Sequence, residues 1–204
     1  MKNGLVAIIL VNYNGFNDTV ACVESILKSA YQEYRIVIVD NGSKDREKII
    51  QNDFLNKHTD IVASEKNLGF SGGNNLGIQY AKKKYDPDYY LLLNNDTVIL
   101  NDTLSELVEH CNIIENTGLV TGKIFYYSQP EVIWYAGGVF NYKTGIADQP
   151  VLGVDESSEN NGCIDVTFAT GCVMLLPRNV IEKIGLLDEE YFLYAEDTDY
   201  CCRI

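Results

Sequence analysis

Two clusters of oxygen-bearing side chains in this 204-residue chain have the make-up for chemistry. The first is Asn94-Asn95-Asp96, where the apolar run Leu91–Leu93 ends in two amides and an acid. Hard divalent cations such as Mg²⁺ or Mn²⁺ prefer oxygen ligands and often use one or two carboxylates plus substrate phosphates. Asp96 is therefore the expected metal ligand, with Asn94 beside it and Asn95 nearer a ribose or sugar. An ordinary Asn/Asp turn is the competing reading. The second cluster, Glu196-Asp197-Thr198-Asp199, holds three acids in four residues. A helix dipole alone favours acids at a helix start, which is the plain explanation. The aromatic residues Tyr191, Phe192 and Tyr194 just before it favour a cleft, and a half-buried carboxylate there suits a general base for a hydroxyl.

Three further polar clusters follow apolar runs. Asn12-Tyr13-Asn14-Gly15 can bring backbone amides against a ligand, or form a simple strand-to-helix turn. Asp40-Asn41-Gly42-Ser43 offers an acid to a base or ribose, as acids after a strand do in dinucleotide folds. A capping turn is its alternative. In Asn67–Asn75, Gly69, Gly72 and Gly73 permit close backbone approach before a helix whose N-terminus can face an anion. Asn67, Asn74, Asn75 and Phe70 add hydrogen bonds and stacking. Neither the dinucleotide nor the Walker glycine spacing is met.

The elements that must position these clusters read as alternating strands and helices. Strands are expected at Leu5–Val11, Arg35–Asp40, Asp60–Ser64, Tyr89–Leu93 and Leu119–Tyr126. Helices are expected after Asn17 or Asp18, from Ser43 to about Asn56, from Ser71 to Lys84 and after Asn101. This rhythm predicts an α/β domain with a mostly parallel, Rossmann-like sheet and helices on both faces, binding ligands at the carboxyl ends of its strands. Beyond residue 126 a smaller mixed β portion is expected. It comprises a strand or hairpin at Val132–Phe140, a mobile loop over 143–163, and a strand-like run Val166–Leu176. A short helix follows with Pro177 in its first turn, and a last helix starts near Glu196. The expected partition is one domain, 1–204, with a donor-side half 1–126 and an acceptor-side half 127–204. The chain stops in an uncapped helical turn at Ile204, so a following segment is expected.

Composition narrows the function. A net charge of −13, from 29 acidic and 16 basic side chains, repels nucleic acid and anionic membranes. A phosphate-bearing substrate remains admissible if a cation offsets the carboxylates. Six cysteines without a C-x-x-C pair, and no apolar run of bilayer length, fit free thiols in a reducing cytoplasm. The only histidines, His58 and His110, lie far apart, which argues against zinc.

As an ordered set, VNYNG, VDNGS, NLGFSGGNN, LLNND, TGCVMLLP and FLYAEDTDYCCR resemble the family 2 glycosyltransferases of GT-A fold, especially their rhamnosyltransferase-like branch. The resemblance covers nearly the whole chain and implies roles. Asp40 corresponds to the acid that holds the nucleotide base. Asp96 corresponds to the last acid of an Asp-x-Asp metal motif whose first position is here Asn94, a departure from the pattern. Asp197, preceded by Glu196, matches the catalytic base of inverting members. Thr170, Gly171 and Cys172 match a loop near the acceptor. The implied donor is a dTDP- or UDP-sugar with rhamnose as the candidate sugar. The implied acceptor is a saccharide or lipid-linked hydroxyl in cell-surface polysaccharide synthesis. The implied location is the cytoplasm or the inner face of the plasma membrane, with membrane attachment only through a following segment. Trp134, Tyr135 and Tyr142 are candidates for a sugar-stacking platform or for core. A binding module without transfer is the main alternative. A nucleotidyltransferase would want a basic residue in Leu68–Asn75, which has none, and a dehydrogenase would want the missing glycine fingerprint.

Overall fold

The apolar run near the N-terminus becomes the central strand of the protein. The structure, a computed structural model, describes residues 4–149 and 162–204. The chain runs β1 (Val6–Asn12), α1 (Phe16–Ile26), β2 (Tyr34–Asn41), α2 (Arg46–Ile50), α3 (Asp53–His58), β3 (Asp60–Ser64), α4 (Gly69–Tyr85), β4 (Tyr89–Asn94) and α5 (Thr103–Ile113). It continues through β5 (Ile124–Tyr126), β6 (Gln129–Tyr135), β7 (Val139–Asn141) and β8 (Ile146–Asp148). It then forms β9 (Val173–Pro177), α6 (Arg178–Ile184) and α7 (Glu196–Arg203). The main sheet has the order β3-β2-β1-β4-β9. Its first four strands are parallel, and β9 returns antiparallel to β4.

Period-two alternation in β1 explains the layering. Val6, Ile8 and Leu10 join one core with Cys22, Val23 and Ile26 of α1 and Leu104, Leu107 and Val108 of α5. Ala7 and Ile9 face the opposite core, with Ile78 and Ala81 of α4, Val180 and Ile181 of α6 and Tyr200 of α7. Both faces are covered, so the strand reads as continuously apolar. Helix α4 lies close to the sheet: a Cβ on Gly77 would sit 2.4 Å from Ile9 Cγ2.

Several expectations are corrected. Leu119–Tyr126 is not a fifth parallel strand: Val120 makes only an antiparallel bridge to Leu175, and Ile124–Tyr126 pairs with β6 in a separate two-stranded sheet. The run Val166–Leu176 is a strand only from Val173, and Pro177 ends it rather than opening α6. The helix expected from Ser43 to Asn56 is two helices, because the Asn52 side chain accepts the Leu55 N–H and starts α3 anew. Helix α1 starts after Gly15 without a side-chain cap, α4 starts at Gly69, and α5 follows Asp102 rather than Asn101. The loop expected over 143–163 begins as a hairpin, β7 with β8; residues 150–161 of it lie outside the described residues.

Candidate active site

Strands β1, β2 and β4 end level with one another. Asn12 pairs with Asp40, and Val11 pairs with Asn94. Their polar ends thus reach one rim of the sheet, the rim where open α/β sheets bind ligands. A cleft opens there. It is lined by Val11 and Tyr13 after β1, Asn41 of β2, and Asn67, Gly69, Phe70 and Asn74 around the start of α4. Leu93, Asn94, Asn95 and Asp96 from the end of β4, and Phe192 and Leu193 before α7, complete it. Its cavity volume is ≈ 230 Å³. Ligand pockets usually hold roughly 300–1,000 Å³, so this cleft is just below the small end of that range.

Five of the expected site residues do not line this cleft. Asn12 is fully buried and acts as a joint. Its amide donates to Asp40 Oδ1 and Ser43 Oγ, both at 3.0 Å, and its oxygen accepts from Gly15 N–H (3.1 Å) and Thr19 Oγ1 (3.0 Å). Asp40 is equally buried, and its other oxygen meets Ser43 N–H (3.4 Å) and Arg46 Nε (3.3 Å). Ser43 is therefore a cross-link between strand ends, not a helix cap. Gly73 is packed: a Cβ there would lie 2.8 Å from Val11 Cγ1. The remaining two are Glu196 and Asp197.

The glycine loop is held by its amides. Asn41 donates to Asn67 Oδ1 (3.0 Å) and Gly69 O (2.9 Å) and accepts from Leu68 N–H (2.9 Å). Asn67 Oδ1 also accepts from Gly69 N–H at 2.8 Å, which leaves the Asn67 NH₂ as a donor at the cleft. Asn74 donates to Phe70 O. Asn75 is turned away, clamping α4 to Leu187 and Glu189. Gly69 sits at φ +74°, where an added Cβ would come 2.2 Å from the Phe192 carbonyl oxygen. That carbonyl accepts from Phe70 N–H at 2.8 Å, so the segment before α7 is tied to the loop.

Asp197 starts α7 beside the same rim. Its Oδ2 accepts from Gly171 N–H (3.0 Å) and its Oδ1 from Thr198 N–H (2.7 Å). Gly171 is wedged between the Phe70 ring and Asp197, at 2.8 Å and 3.7 Å from where its Cβ would be. The next residue, Cys172, accepts from Asn94 N–H at 2.9 Å. Gly171-Cys172 therefore bridges the base candidate to the strand end that carries Asp96. Glu196 is only 5% exposed, and its Oε2 has no partner among the described residues. Burial raises its carboxyl above the usual range, its own backbone N–H opposes, and the Asp197 charge adds. Burial also pushes the Cys22 thiol up to about 12, with the charges of Asp96 and Cys172 adding.

The oxygen donors at the rim fit a hard cation that also binds its substrate. Asp96 is exposed and makes no hydrogen bond or ion pair with the described residues. Asn95 spends its NH₂ on Thr19 Oγ1 (2.8 Å) and Gly15 O (3.4 Å), which orients its oxygen away from those partners. No group of three acidic, His or Cys side chains forms a protein cage among the described residues. One carboxylate supplemented by diphosphate oxygens is a Mg²⁺-like arrangement.

The sequence reading missed Thr19 and Arg46, which hold Asn12, Asn95 and Asp40. Trp134 and Tyr135 do not form a platform with Tyr142. Tyr135 is buried with its hydroxyl on Phe168 O (2.7 Å), Trp134 packs on the core, and Tyr142 is exposed beside Phe140.

The sequence model described as "Glycosyl transferase family 2" matches residues 7–185. The chain belongs to this family. Among curated relatives of this family 2 glycosyltransferase, the low-salt glycan biosynthesis hexosyltransferase Agl10 of Haloferax volcanii is 27% identical over 199 residues. The match covers 97% of this chain and 60% of that one. Rhamnosyltransferase WbbL of Escherichia coli is 24% identical over 210 residues, covering 98% and 76%. The chain thus spans about three-fifths of the first relative's length. Among solved structures, mannosyltransferase PcManGT from Pyrobaculum calidifontis, in complex with GDP-Man and Mn²⁺, superposes with TM-score 0.68 at 14% identity, covering 98% of this chain and 51% of that one. TarS 1-349 of S. aureus in complex with UDP-GlcNAc gives TM-score 0.67 at 15% identity, covering 98% and 52%. The fold is therefore the GT-A fold: a mostly parallel sheet with helices on both faces and small antiparallel additions. No described helix is long and apolar enough to cross a membrane.

Proposed function

We propose that this chain carries the catalytic core of an inverting glycosyltransferase. It would move a sugar from a nucleoside-diphosphate donor to a hydroxyl of a saccharide or lipid-linked acceptor in glycan synthesis. The carrying observation is the bridge through Gly171-Cys172, which sets Asp197 beside Phe70 on the rim that ends in Asp96. In this reading the donor lies in the cleft between Tyr13, Asn67 and Asp96, and residues 127–204 supply the acceptor side. Asp197 takes the acceptor hydroxyl's proton as that oxygen bonds to the anomeric carbon. The bond from that carbon to the diphosphate oxygen breaks, and the nucleoside diphosphate leaves with the electron pair. The Asn67 NH₂, the donor the glycine loop leaves at the cleft, would face the departing charge. A divalent cation at Asp96, with Asn94 or Asn95, would neutralise the diphosphate in this acidic protein.

The relatives and solved neighbours named above include proteins bound to GDP-Man and UDP-GlcNAc and a rhamnosyltransferase, which supports a nucleotide-sugar donor. Rhamnose and a dTDP or UDP carrier remain the proposed specifics, with action in the cytoplasm or at the inner membrane face. The test is a thermal-shift series with UDP-, GDP- and dTDP-sugars, with and without Mn²⁺. A binder at 100-fold its Kd stabilises by about 2.7 kcal/mol. One nucleotide-sugar should raise Tm in Mn²⁺ and lose the effect in EDTA. No shift with any donor rejects the reading, and a chelator-insensitive shift removes the cation from it.

Asn94, standing where the family motif has an acid, favours a second reading: donor binding without transfer. Donor hydrolysis with Mn²⁺ or Mg²⁺ separates the two, because a pure binding module leaves the donor intact.

A further inference from the structure

Tyr194 is held in the left-handed region at φ 71°, and Ala195 follows at φ 69°. A bulky aromatic residue is strained there, and such strain persists only where the surrounding structure imposes it. Packing does not compensate, because Tyr194 is 80% exposed and makes no hydrogen bond with the described residues. The conformation is imposed from both ends. On one side the Phe192 carbonyl accepts from Phe70 N–H at 2.8 Å; on the other, Asp197 Oδ2 accepts from Gly171 N–H at 3.0 Å. The chain between these anchors must turn sharply, and the turn carries the Tyr194 ring into solvent. Strain of this kind without a folding return collects at functional sites.

The location narrows the function. Leu193, the preceding residue, lines the donor cleft, and Asp197 lies three residues on. An exposed aromatic ring on a backbone held between cleft-lining Leu193 and Asp197 matches the apolar C–H face of a pyranose. We infer that Tyr194 is the stacking platform for the acceptor saccharide, orienting its nucleophilic hydroxyl toward Asp197. This inference rests on the reading of the cleft as donor site and of Asp197 as base. A membrane surface fits the strip less well. Asp188, Glu189, Glu190, Asp197 and Asp199 flank it and repel anionic headgroups.

The test is saturation-transfer NMR on the full protein with UDP or GDP and Mn²⁺ bound. The probes are methyl β-D-glucopyranoside, methyl N-acetyl-β-D-glucosaminide and methyl α-L-rhamnopyranoside. At least one glycoside should receive saturation on its ring C–H protons in the native protein and in Tyr194→Phe. In Tyr194→Ala its affinity should fall roughly three- to tenfold, as loss of one stacking contact implies, with nucleotide affinity unchanged. Tyr194→Gly should lose the same signal yet melt above Tyr194→Ala, because glycine relieves the left-handed strain. Undiminished signals in Tyr194→Ala, or no glycoside signal in the nucleotide-bound native protein, overturn the inference while leaving the donor site intact. So does Tyr194-dependent binding to phosphatidylglycerol vesicles. Failure of every nucleotide to bind removes the proposed function, and this inference with it.

Discussion

Gly171 donates its backbone N–H to Asp197 Oδ2 at 3.0 Å, and the Phe70 ring closes on Gly171 from the other side. The glycine is thus both a hydrogen-bond donor and a spacer. A side chain there would push the aromatic wall of the cleft away from the carboxylate that the proposed mechanism uses. The rotamer of Asp197 is fixed at one end by Gly171 and at the other by Thr198 N–H.

Asp197→Asn should lower sugar transfer by a factor on the order of 10² or more while leaving donor affinity unchanged. The amide keeps one acceptor oxygen for Gly171 N–H, but its NH₂ then faces Thr198 N–H, so a small loss of Tm is expected as well. Initial rates and calorimetric donor titrations on the same preparation decide the matter. Turnover near that of the native protein would take the base assignment away from Asp197.

Asn12→Ala should destabilise the fold more than it alters ligand contacts. The substitution strips Asp40 Oδ1 and Ser43 of a donor and Gly15 and Thr19 of an acceptor, all at the junction of β1 and β2. Leaving buried polar groups unpaired costs about 1–3 kcal/mol. Chemical denaturation should show a shifted midpoint at constant slope. A variant as stable as the native protein would mean that water replaces the amide at no cost.

Gly69→Ala should weaken both stability and donor binding. Left-handed backbone costs a non-glycine residue about 1–2 kcal/mol. Here the methyl would also run into the Phe192 carbonyl, 2.2 Å away. Phe192 must then withdraw, breaking the Phe70 N–H bond that joins the glycine loop to the α7 segment. A loss of donor affinity together with Tm is the expected signature; unchanged donor affinity would show that the loop binds donor independently of Phe192.

The main architecture was legible because burial on both faces of the sheet leaves continuous apolar runs such as Val6–Val11, and each run ends in the polar residues that form the rim. The cleft-lining residues Asn67, Gly69, Phe70 and Asn74, and Asn94 to Asp96, followed from the same logic. Pairing between distant segments was not legible. The run Val166–Leu176 carries no period that distinguishes a parallel from an antiparallel partner, so its place beside β4 could not be read. The partners of Asp40 were not legible either, because Asn12 and Arg46 lie on other elements. Only the fold, whose register sets Asn12 against Asp40, brings Asn12, Ser43 N–H and Arg46 to the acid's two oxygens. The left-handed pair Tyr194-Ala195 has no sequence signal either, since neither residue is Gly, Asn or Asp.

Glu196 should make the protein less stable as pH rises from mildly acidic to neutral. Its folded carboxyl is raised above the ordinary value of 4.5 by burial, with the Asp197 charge adding against its own backbone N–H. The unfolded chain therefore gives up this proton first. Between the ordinary and the raised value the folded state binds more protons, so stability is full below that window and declines through it. Glu196→Gln keeps the shape and cannot ionise, so its advantage over the native protein should grow with pH across the window and then level off. Asp197→Asn removes the smaller of the two raising causes, so in that background the decline should shrink but persist. Urea denaturation of the four proteins – native, both single variants and the double – from about pH 4 to about pH 8 measures this directly. A stability difference between native and Glu196→Gln that stays flat across that range would mean that the unpartnered Oε2 is solvated in solution.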